Sequence, residues 1–226
     1  MKAMQFVLSR EKEKGTKALE ERLSSELAKN RHVLWLVSGG SNIPISVAVM
    51  RALKAEHTKN LVVLLADERY GEAGHLDSNA KQLLDAGLET KDAVFVPPLV
   101  PGFSLEETRE RYGDASRRAF EHADVVVGQI GIGQDGHIAG LLPHSPAAES
   151  REWVAAYETP TYTRITLGFS ALSEIDAAYV FAFGDDKKEA LTALHDEELE
   201  LTDQPAQLLK TLPEAYIFND QIGEKL

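Results

Sequence analysis

The chain has 226 residues, 43% of them hydrophobic, and a formal net charge of −12 at pH 7. This acidic balance argues against nonspecific binding to nucleic acid or to an anionic membrane, because both need basic faces. The absence of cysteine excludes disulfides, thiolate nucleophiles and cysteine-ligated metals. No apolar run has the length of a membrane span, and the N-terminus lacks the apolar core and cleavage site of a signal peptide. We therefore expect a cytoplasmic protein with a single domain over residues 1–226.

Short apolar runs alternate along the chain with segments of helical periodicity. This alternation predicts an α/β fold with a mostly parallel sheet covered by helices on both faces. Residues 145–160 carry neither pattern and are predicted to be irregular, with Trp153 and Tyr157 as packing residues. The predicted strands cover 5–9, 33–37, 61–66, 93–96, a run from 125, 164–167, 178–183 and 215–218. The predicted helices cover 11–30, 45–55, 78–86, 105–121, 169–175, 188–194 and 205–211.

Several predicted strands end in a cluster of polar residues and glycines. These clusters occupy 38–42, 67–70, 131–137 and 184–187. The carboxyl ends of parallel strands lie on one edge of a sheet, where ligands bind in open α/β folds. Residues that are distant in the sequence are therefore predicted to share one pocket.

The stretch Val125–Pro143 carries the strongest candidate for a catalytic turn. An apolar, β-branched strand leads into a turn with three glycines between 131 and 136, and this turn also contains Asp135 and ends at His137. Glycines permit positive φ and a close approach of the backbone to a ligand. A histidine side chain can accept or release a proton near neutral pH. The turn is thus predicted to bring an acid and a proton carrier to the edge of the sheet.

Two other interpretations of this turn remain open. The spacing from Gly131 to Gly136 fits the G-x-G-x-x-G dinucleotide fingerprint, but Pro143 curtails a following helix. The next acidic residues, Glu149 and Glu152, come too early and do not stand at the end of an apolar strand. Alternatively, Asp135 caps a helix that begins near Gly136, and His137 is a surface residue. This second interpretation leaves the three glycines unexplained.

The Ser-Gly-Gly-Ser stretch at 38–41 is suited to bind an anion. Glycines let backbone N–H groups converge on one group of oxygens, and the N-terminus of the following helix adds positive charge. Arg164 and Lys187 are candidate cations for the same anion. The alternative is a tight strand-to-helix turn with a serine cap. The P-loop pattern is absent from the chain.

The triplet Asp67-Glu68-Arg69 follows a predicted buried strand. Successive residues of an extended chain face opposite sides, so Asp67 and Arg69 are predicted to share one side and Glu68 to face away. The alternative to a catalytic role for Glu68 is a structural ion pair.

A metal site is not predicted. His75, His137, Asp67 and Asp135 could form one on paper, but no H-x-x-x-H or similar local spacing supports it. The chain also lacks the G-x-S-x-G pattern of a nucleophilic serine.

Taken together, the motifs resemble those of the 6-phosphogluconolactonase family, within a larger group that includes glucosamine-6-phosphate deaminase. The resemblance implies a three-layer α/β sandwich with a mostly parallel, Rossmann-like sheet, a small-molecule sugar-phosphate substrate, and no required metal or organic cofactor. The matching pieces occur in family order and span most of the chain: SGGS at 38–41, DER at 67–69, H-x-D-S-N at 75–79, GIGQDGH at 131–137, RITL at 164–167, G-x-x-K at 184–187 and PAQLL at 205–209.

Two positions favour the lactonase over the deaminase. Leu142 stands where the resembled deaminase has a glutamate that assists ring opening, and leucine cannot transfer or orient a proton. Arg69 stands where deaminases usually have tyrosine. The segment 70–74 departs from the usual lactonase pattern, and Ile138 is deaminase-like.

The leading hypothesis is hydrolysis of 6-phospho-D-glucono-1,5-lactone to 6-phosphogluconate. The resemblance implies that His137 acts as the general base, supported by either Asp135 or Asp67, and that Arg69 and the glycine turn stabilise an oxyanion. It also implies a substrate and phosphate site made of Gly39, Gly40, Ser41, Arg69, His75, Arg164 and Lys187. The alternatives are a deaminase or isomerase of an amino-sugar phosphate, a non-catalytic sugar-phosphate sensor, and a nicotinamide enzyme. The oligomeric state is not predicted.

Overall fold

The computed structural model describes residues 4–223, so the first three and last three residues of the predicted domain lie outside it. The strands are β1 (Gln5–Leu8), β2 (Val33–Val37), β3 (Leu61–Leu65), β4 (Asp67–Arg69), β5 (Val94–Val96), β6 (Val125–Gly131), β7 (Val154–Glu158), β8 (Thr163–Leu167), β9 (Ala177–Ala182) and β10 (Glu214–Asn219). The α-helices are α1 (Glu13–Ala28), α2 (Ile43–Ala52), α3 (Asn79–Asp85), α4 (Leu105–His122), α5 (Pro146–Glu149), α6 (Phe169–Leu172) and α7 (Lys188–Asp196). Short 3-10 helices cover Gly40–Asn42, Ala55–Asn60, Asp185–Lys187 and Pro205–Thr211.

A parallel sheet of seven strands forms the centre of the molecule. Its strand order is β1-β10-β9-β6-β2-β3-β5, and every neighbouring pair runs parallel. Alternate residues of β2 enter different cores: Leu34 and Leu36 pack in one cluster, Trp35 and Val37 in the other. Because both faces are covered, this strand is apolar at every position. The predicted α/β sandwich with a mostly parallel sheet is confirmed, and the predicted edge strand at 5–9 is the edge strand β1.

The strand order reverses between β2 and β6. From β2 the chain proceeds outward through β3 to β5, and from β6 it proceeds the other way through β9 to β10. The loops that leave β2 and β6 therefore diverge to opposite sides and open a crevice between them. This crevice is the expected ligand position in an open parallel sheet.

A second, antiparallel sheet was not predicted from the sequence. It has the order β4-β8-β7 and forms immediately after β3, with only Ala66 between β3 and β4. Its pairs place Asp67 opposite Thr166 and Arg69 opposite Arg164. The prediction that residues 145–160 are irregular is wrong, because they contain α5 and β7. Strand β7 has only five residues, and it is stabilised by its pairing with β8 rather than by a pattern of its own.

Most predicted elements are present, with ends displaced by one to a few residues. Helix α2 begins at Ile43 rather than 45, with Pro44 in its first turn, where proline is tolerated. The segment predicted as a helix at 205–211 is a 3-10 helix. Within residues 4–223, none of the helices is long and apolar enough to cross a membrane.

Candidate active site

An open cavity of about 300 Å³ lies beyond the carboxyl ends of β2 and β6. This volume is at the lower end of the range for small-molecule sites, roughly 300–1,000 Å³. All four polar clusters at the predicted strand ends contribute to its wall. The wall residues foreseen from the sequence are Ser38, Gly39, Gly40, Ser41, Asp67, Arg69, Gly131, Gly133, His137, Arg164 and Lys187.

Asp135 and His137 form a hydrogen-bonded pair in the turn after β6. The Asp135 Oδ1 atom lies 2.6 Å from His137 Nδ1 and 3.2 Å from the His137 backbone nitrogen. The turn is closed by hydrogen bonds from the Gly133 N–H to the His137 carbonyl and from the Gly136 N–H to the Gly133 carbonyl. A Cβ at Gly133 would lie only 2.0 Å from His137 Nδ1, so glycine is needed there for the imidazole to fold back over the turn.

The hydrogen-bond partner of His137 Nδ1 determines which ring nitrogen carries the hydrogen. An ionised carboxylate only accepts hydrogen bonds, so Nδ1 carries the hydrogen and a neutral ring keeps its lone pair on Nε2. The imidazole lines the cavity, and no residue in the described part of the chain hydrogen-bonds to Nε2. Burial acts to raise the pKa of Asp135, but the hydrogen bond and charge of His137 outweigh it and hold that pKa below its ordinary value. Asp135 is therefore a stable anion beside the ring.

No helix follows this turn, which bears on both alternative interpretations. Residues 132–145 contain only turns and an isolated bridge between Ile138 and Leu141. A dinucleotide fingerprint needs a helix whose N-terminus faces the pyrophosphate, and none begins here. For the same reason, the interpretation of Asp135 as the cap of a helix near Gly136 is wrong.

Asp67 pairs with Arg164 rather than with His137. Arg164 Nη1 lies 3.3 Å from Asp67 Oδ2, and both side chains are almost fully buried. Burial raises the pKa of Asp67 above its ordinary value, and the charges of Arg164, Arg69 and His137 oppose that rise. Of the two carboxylates considered from the sequence, Asp135 is the one in contact with the imidazole.

Two arginines stand side by side on the small sheet. Arg69 of β4 pairs directly with Arg164 of β8, and both line the cavity. Like charges directly opposite each other in a sheet are destabilising, and the diagonal neighbour Asp67 offsets one of them. The Arg69 guanidinium also donates to the Asp77 carbonyl at 3.0 Å and lies 5.4 Å from the centre of the Tyr162 ring. The result is a fixed pair of positive groups on one wall.

Glu68 faces away from the cavity, as the alternation predicts. Its carboxylate accepts hydrogen bonds from the Ser78 hydroxyl and from the backbone N–H groups of Asn79 and Ala80, at 2.6–3.0 Å. It also accepts from the backbone N–H of Arg69 at 2.8 Å. The ion pair expected as the structural alternative does not form in the described part of the chain; instead Glu68 fastens the first turn of α3 to β4.

His75 does not reach the cavity wall. Its Nε2 atom lies 2.9 Å from the Arg69 carbonyl oxygen, and its ring packs against Gly71. The structure therefore places His75 behind Arg69, in the loop between β4 and α3, rather than beside a ligand in the cavity.

The predicted anion loop also lines the cavity. Residues Gly40–Asn42 form a 3-10 turn that leads directly into α2, and Gly40 has a φ of +62°. A Cβ at Gly39 would lie 1.9 Å from Asn79 Oδ1, so Gly39 permits the loop to pack on this buried amide. Lys187 stands on the facing wall, with its Nζ 2.9 Å from Asp186.

Several wall residues were not named as site residues from the sequence, although Asn42 and Ile132 lie within the predicted polar clusters. Asn42 and Asn79 are buried amides next to motifs that were recognised, SGGS and DER, and Asn79 belongs to the H-x-D-S-N motif itself. Asn79 Nδ2 donates to the Asp67 carbonyl at 3.0 Å, which ties α3 to β4. The remaining additions are Ile132, Ala139, Phe181 and Phe183. Within residues 4–223, no three His, Asp or Glu side chains converge as ligands for a metal ion.

The fold and this cavity define an α/β protein with a polar, small-molecule site at the switch point of a parallel sheet. The sequence model of the glucosamine-6-phosphate isomerase/6-phosphogluconolactonase family matches residues 11–217. The chain therefore belongs to this family.

Several relatives of this chain carry the name 6-phosphogluconolactonase. The chain is 37% identical over 134 residues to a 6-phosphogluconolactonase of Pseudomonas aeruginosa, a match that covers 57% of this chain and 53% of the relative. It is 31% identical over 186 residues to a 6-phosphogluconolactonase of Helicobacter pylori strain J99, which covers 77% and 79% of the two chains.

Solved structures share the fold at low sequence identity. The crystal structure of a 6-phosphogluconolactonase from Shewanella baltica superimposes with a TM-score of 0.81 at 20% identity, over 96% of this chain and 98% of that one. A monomeric glucosamine-6-phosphate deaminase superimposes with a TM-score of 0.77 at 18% identity, over 96% and 97%. Because both activities occur on this fold, the fold alone does not separate them.

Proposed function

We propose that the protein hydrolyses 6-phospho-D-glucono-1,5-lactone to 6-phosphogluconate. The observation that carries this proposal is the Asp135–His137 pair, whose free imidazole nitrogen opens on a cavity lined by Arg69, Arg164 and Lys187. A proton carrier, cations and a glycine loop on one cavity suit a phosphorylated, hydrolysable sugar derivative. The lactonase names of the relatives support this choice of substrate.

His137 acts as the general base in this proposal. Its Nε2 accepts a proton from a water molecule as the water oxygen attacks the lactone carbonyl carbon. The bond from that carbon to the ring oxygen then breaks, and the imidazolium returns the proton to the departing ring oxygen. Asp135 holds the Nδ1 hydrogen and stabilises the imidazolium while the ring is charged. No covalent enzyme intermediate is needed, because a lactone is already an activated ester.

The developing oxyanion needs donors near the attacked carbonyl. Arg69 is fixed on the cavity wall by its bond to the Asp77 carbonyl, and the turn that carries His137 contributes Gly131 and Gly133 to the same cavity. Fixed donors of this kind stabilise a transition state without reorganisation. We assign this role to Arg69 together with the turn.

The phosphate binds at the glycine loop that includes Gly39, Gly40 and Ser41. Backbone N–H groups of Gly39, Gly40 and Ser41 precede the N-terminus of α2, which is a favourable position for an anion. Arg164 and Lys187 neutralise the phosphate, and the ion pair with Asp67 holds Arg164 in place.

A second candidate function is deamination of an amino-sugar phosphate, favoured by the structural likeness to a deaminase. Leu142 opposes it. This residue occupies the position of the glutamate that assists ring opening in the resembled deaminases, and it packs against the apolar core. It offers no group that could relay a proton to His137.

The test is a pair of product assays on the same protein preparation. Proton release is followed after adding freshly prepared 6-phosphogluconolactone, against its spontaneous hydrolysis, and ammonia release is followed with glucosamine 6-phosphate. We expect acceleration of the first reaction and none of the second. Ammonia release without lactone hydrolysis would overturn the proposal in favour of a deaminase. Activity in neither assay would overturn it in favour of a binding protein.

A further inference from the structure

Lys12 contacts the predicted anion loop at 38–41 from a distant part of the chain. It lies just before α1, and its Nζ donates to the Ser41 carbonyl oxygen at 3.2 Å, across 29 residues of sequence. The same ammonium lies 5.9 Å from the centre of the Phe183 ring. Ser41 and Phe183 both line the cavity, on different loops. Lys12 therefore contacts two loops of the cavity wall, one of which is the loop where the phosphate is proposed to bind.

The position of Lys12 is fixed by the packing of α1. The Lys12 carbonyl accepts hydrogen bonds from both the backbone N–H and the hydroxyl of Thr16, each at 2.9 Å. Gly15 allows α1 to lie directly against the sheet, because a Cβ there would be 2.6 Å from the Phe181 ring. This close approach brings the start of α1 beside the loop that contains Ser41.

The Lys12 ammonium differs from the charged groups of Arg164 and Lys187 in its neighbouring carboxylates. Arg164 is paired with Asp67, and the Lys187 ammonium lies 2.9 Å from Asp186. Within residues 4–223, no carboxylate lies within ion-pair distance of the Lys12 ammonium. In a chain with a net charge of −12, an ammonium without a paired carboxylate attracts an anion to this part of the cavity wall.

We propose that Lys12 is a positioning and specificity residue for the phosphate of the substrate. It holds the Ser41 loop in the conformation that presents its N–H groups, and it adds a positive charge behind them. This inference rests on the proposed function, since it assumes that an anion binds on Gly39, Gly40 and Ser41. It concerns recognition of the phosphate only and leaves the chemistry at His137 unchanged.

A merely structural role for Lys12 makes a different prediction. If its hydrogen bond only ties α1 to the loop, its loss would lower the thermal stability and affect all substrates alike. If it serves phosphate recognition, its loss would affect phosphorylated ligands selectively. The comparison of a phosphorylated with a phosphate-free lactone therefore separates the two.

The experiment measures kcat and KM of Lys12→Met, Lys12→Arg and the control Lys14→Met. Lys14 is an exposed residue of the same helix, so its variant removes the same charge without touching the loop. We expect Lys12→Met to raise KM for 6-phosphogluconolactone about 3- to 10-fold at unchanged kcat, the size of effect that one charge exerts on a nearby dianion in a water-like dielectric. KM for glucono-1,5-lactone should stay unchanged, Lys12→Arg should restore most of the loss, and Lys14→Met should equal the parent.

Two outcomes overturn the inference. One is a KM of Lys12→Met equal to that of the parent with the phosphorylated lactone. The other is an equal rise in KM with both lactones, which would indicate a structural role. If the parent hydrolyses no lactone, the proposed function fails, and Lys12 is tested separately by calorimetric titration with inorganic phosphate. Weaker phosphate binding by Lys12→Met than by Lys14→Met would then support the inference, and equal binding would overturn it.

Discussion

Asp135 accepts the Nδ1 hydrogen of His137 at 2.6 Å, and a single tight turn supplies both residues. The second carboxylate of the cavity, Asp67, is engaged by Arg164 instead. The sequence alone did not assign separate roles to the two carboxylates. In the structure, Asp135 contacts the His137 imidazole and Asp67 holds Arg164. Substitutions at each of these residues test the contacts individually.

Replacement of Asp135 by asparagine should lower kcat on the lactone on the order of 10²-fold, within the range of about 10²–10⁴ for general acid–base groups. Asparagine removes the charge that stabilises the imidazolium and no longer fixes the hydrogen on Nδ1. KM should change little, because Asp135 does not line the cavity. Steady-state kinetics with 6-phosphogluconolactone is the measurement.

Asp196→Asn is the matched control for that variant. Asp196 lies 2.5 Å from Nδ1 of His195 at the end of α7, so it forms the same kind of pair on the surface. It should retain the parent kcat. An Asp135→Asn enzyme as active as this control would remove Asp135 from the mechanism.

Gly39→Ala should impair both stability and substrate binding. The new methyl group would lie 1.9 Å from Asn79 Oδ1, so the loop or the buried amide must move. We expect a loss of about 1–3 kcal/mol in the free energy of unfolding, as is typical of overpacking, and a rise in KM. Chemical denaturation and steady-state kinetics measure the two effects.

The clash predicts an energetic coupling between Gly39 and Asn79. Gly39→Ala should cost less stability in an Asn79→Ala background than in the parent, because Asn79→Ala removes the group that the methyl would strike. Gly87→Ala serves as the control: Gly87 has a φ of +91° but nothing within 4 Å of an added Cβ, so only backbone strain should appear. A stability loss for Gly39→Ala that equals that of Gly87→Ala, and that is no smaller in the Asn79→Ala background, would contradict the close packing of Gly39 on Asn79.

Glu68→Ala should lower the free energy of unfolding by about 3 kcal/mol, since buried donors left without an acceptor cost about 1–3 kcal/mol each. The variant would leave the first N–H groups of α3 and the Ser78 hydroxyl unpaired at a buried position. Urea denaturation measures the loss. The exposed Glu89→Ala should be neutral, and a neutral Glu68→Ala would show that these hydrogen bonds do not hold the small sheet to α3.

Arg164→Met should destabilise the protein in a pH-dependent way. Burial already raises the pKa of Asp67, and Arg164 opposes that rise, so its removal raises this pKa further. Between its unfolded-state and folded-state pKa values, a carboxyl group with a raised pKa binds more protons in the folded than in the unfolded protein. Stability therefore increases as the pH falls through that range. We expect a loss of about 3–5 kcal/mol at pH 7, typical of a broken buried pair, that shrinks towards pH 5.

The measurement is urea denaturation of Arg164→Met and the parent at several pH values between 7 and 5. Arg151→Met, at an exposed position, is the control and should follow the parent throughout. A stability difference between Arg164→Met and the parent that stays constant with pH would contradict the assignment of Asp67 as the partner of Arg164.

The large sheet was predictable because its strands are locally distinctive. Runs such as Val33–Val37 and Leu61–Leu65 are buried on both faces, so they consist of continuous apolar residues that a single sequence displays. The small sheet was not predictable in the same way. Strand β4 has three residues, all charged, and it is stabilised by pairing with β8 about a hundred residues later. Such long-range antiparallel pairing leaves no local periodicity.

The candidate site was also predictable from the sequence only in part. Residues that follow a strand directly, such as His137 and Ser41, were placed on the correct edge of the sheet because the edge is set by topology. The partner of His137 was left open, because the choice between Asp135 and Asp67 depends on how the turn folds. Lys12 was missed altogether, since it stands in a run of charged residues at the start of the helix predicted over 11–30. Its position depends on the packing of Gly15 against Phe181.

The most direct test of the account is the rate of proton release from fresh 6-phosphogluconolactone in the presence of the parent, His137→Ala and His195→Ala. His195 is the matched control, because it forms a similar aspartate pair and does not line the cavity. We predict acceleration over spontaneous hydrolysis by the parent and by His195→Ala, and a loss of about 10²–10⁴-fold in kcat for His137→Ala. Near-normal turnover by His137→Ala would contradict the central claim that this imidazole is the base of a lactone hydrolase.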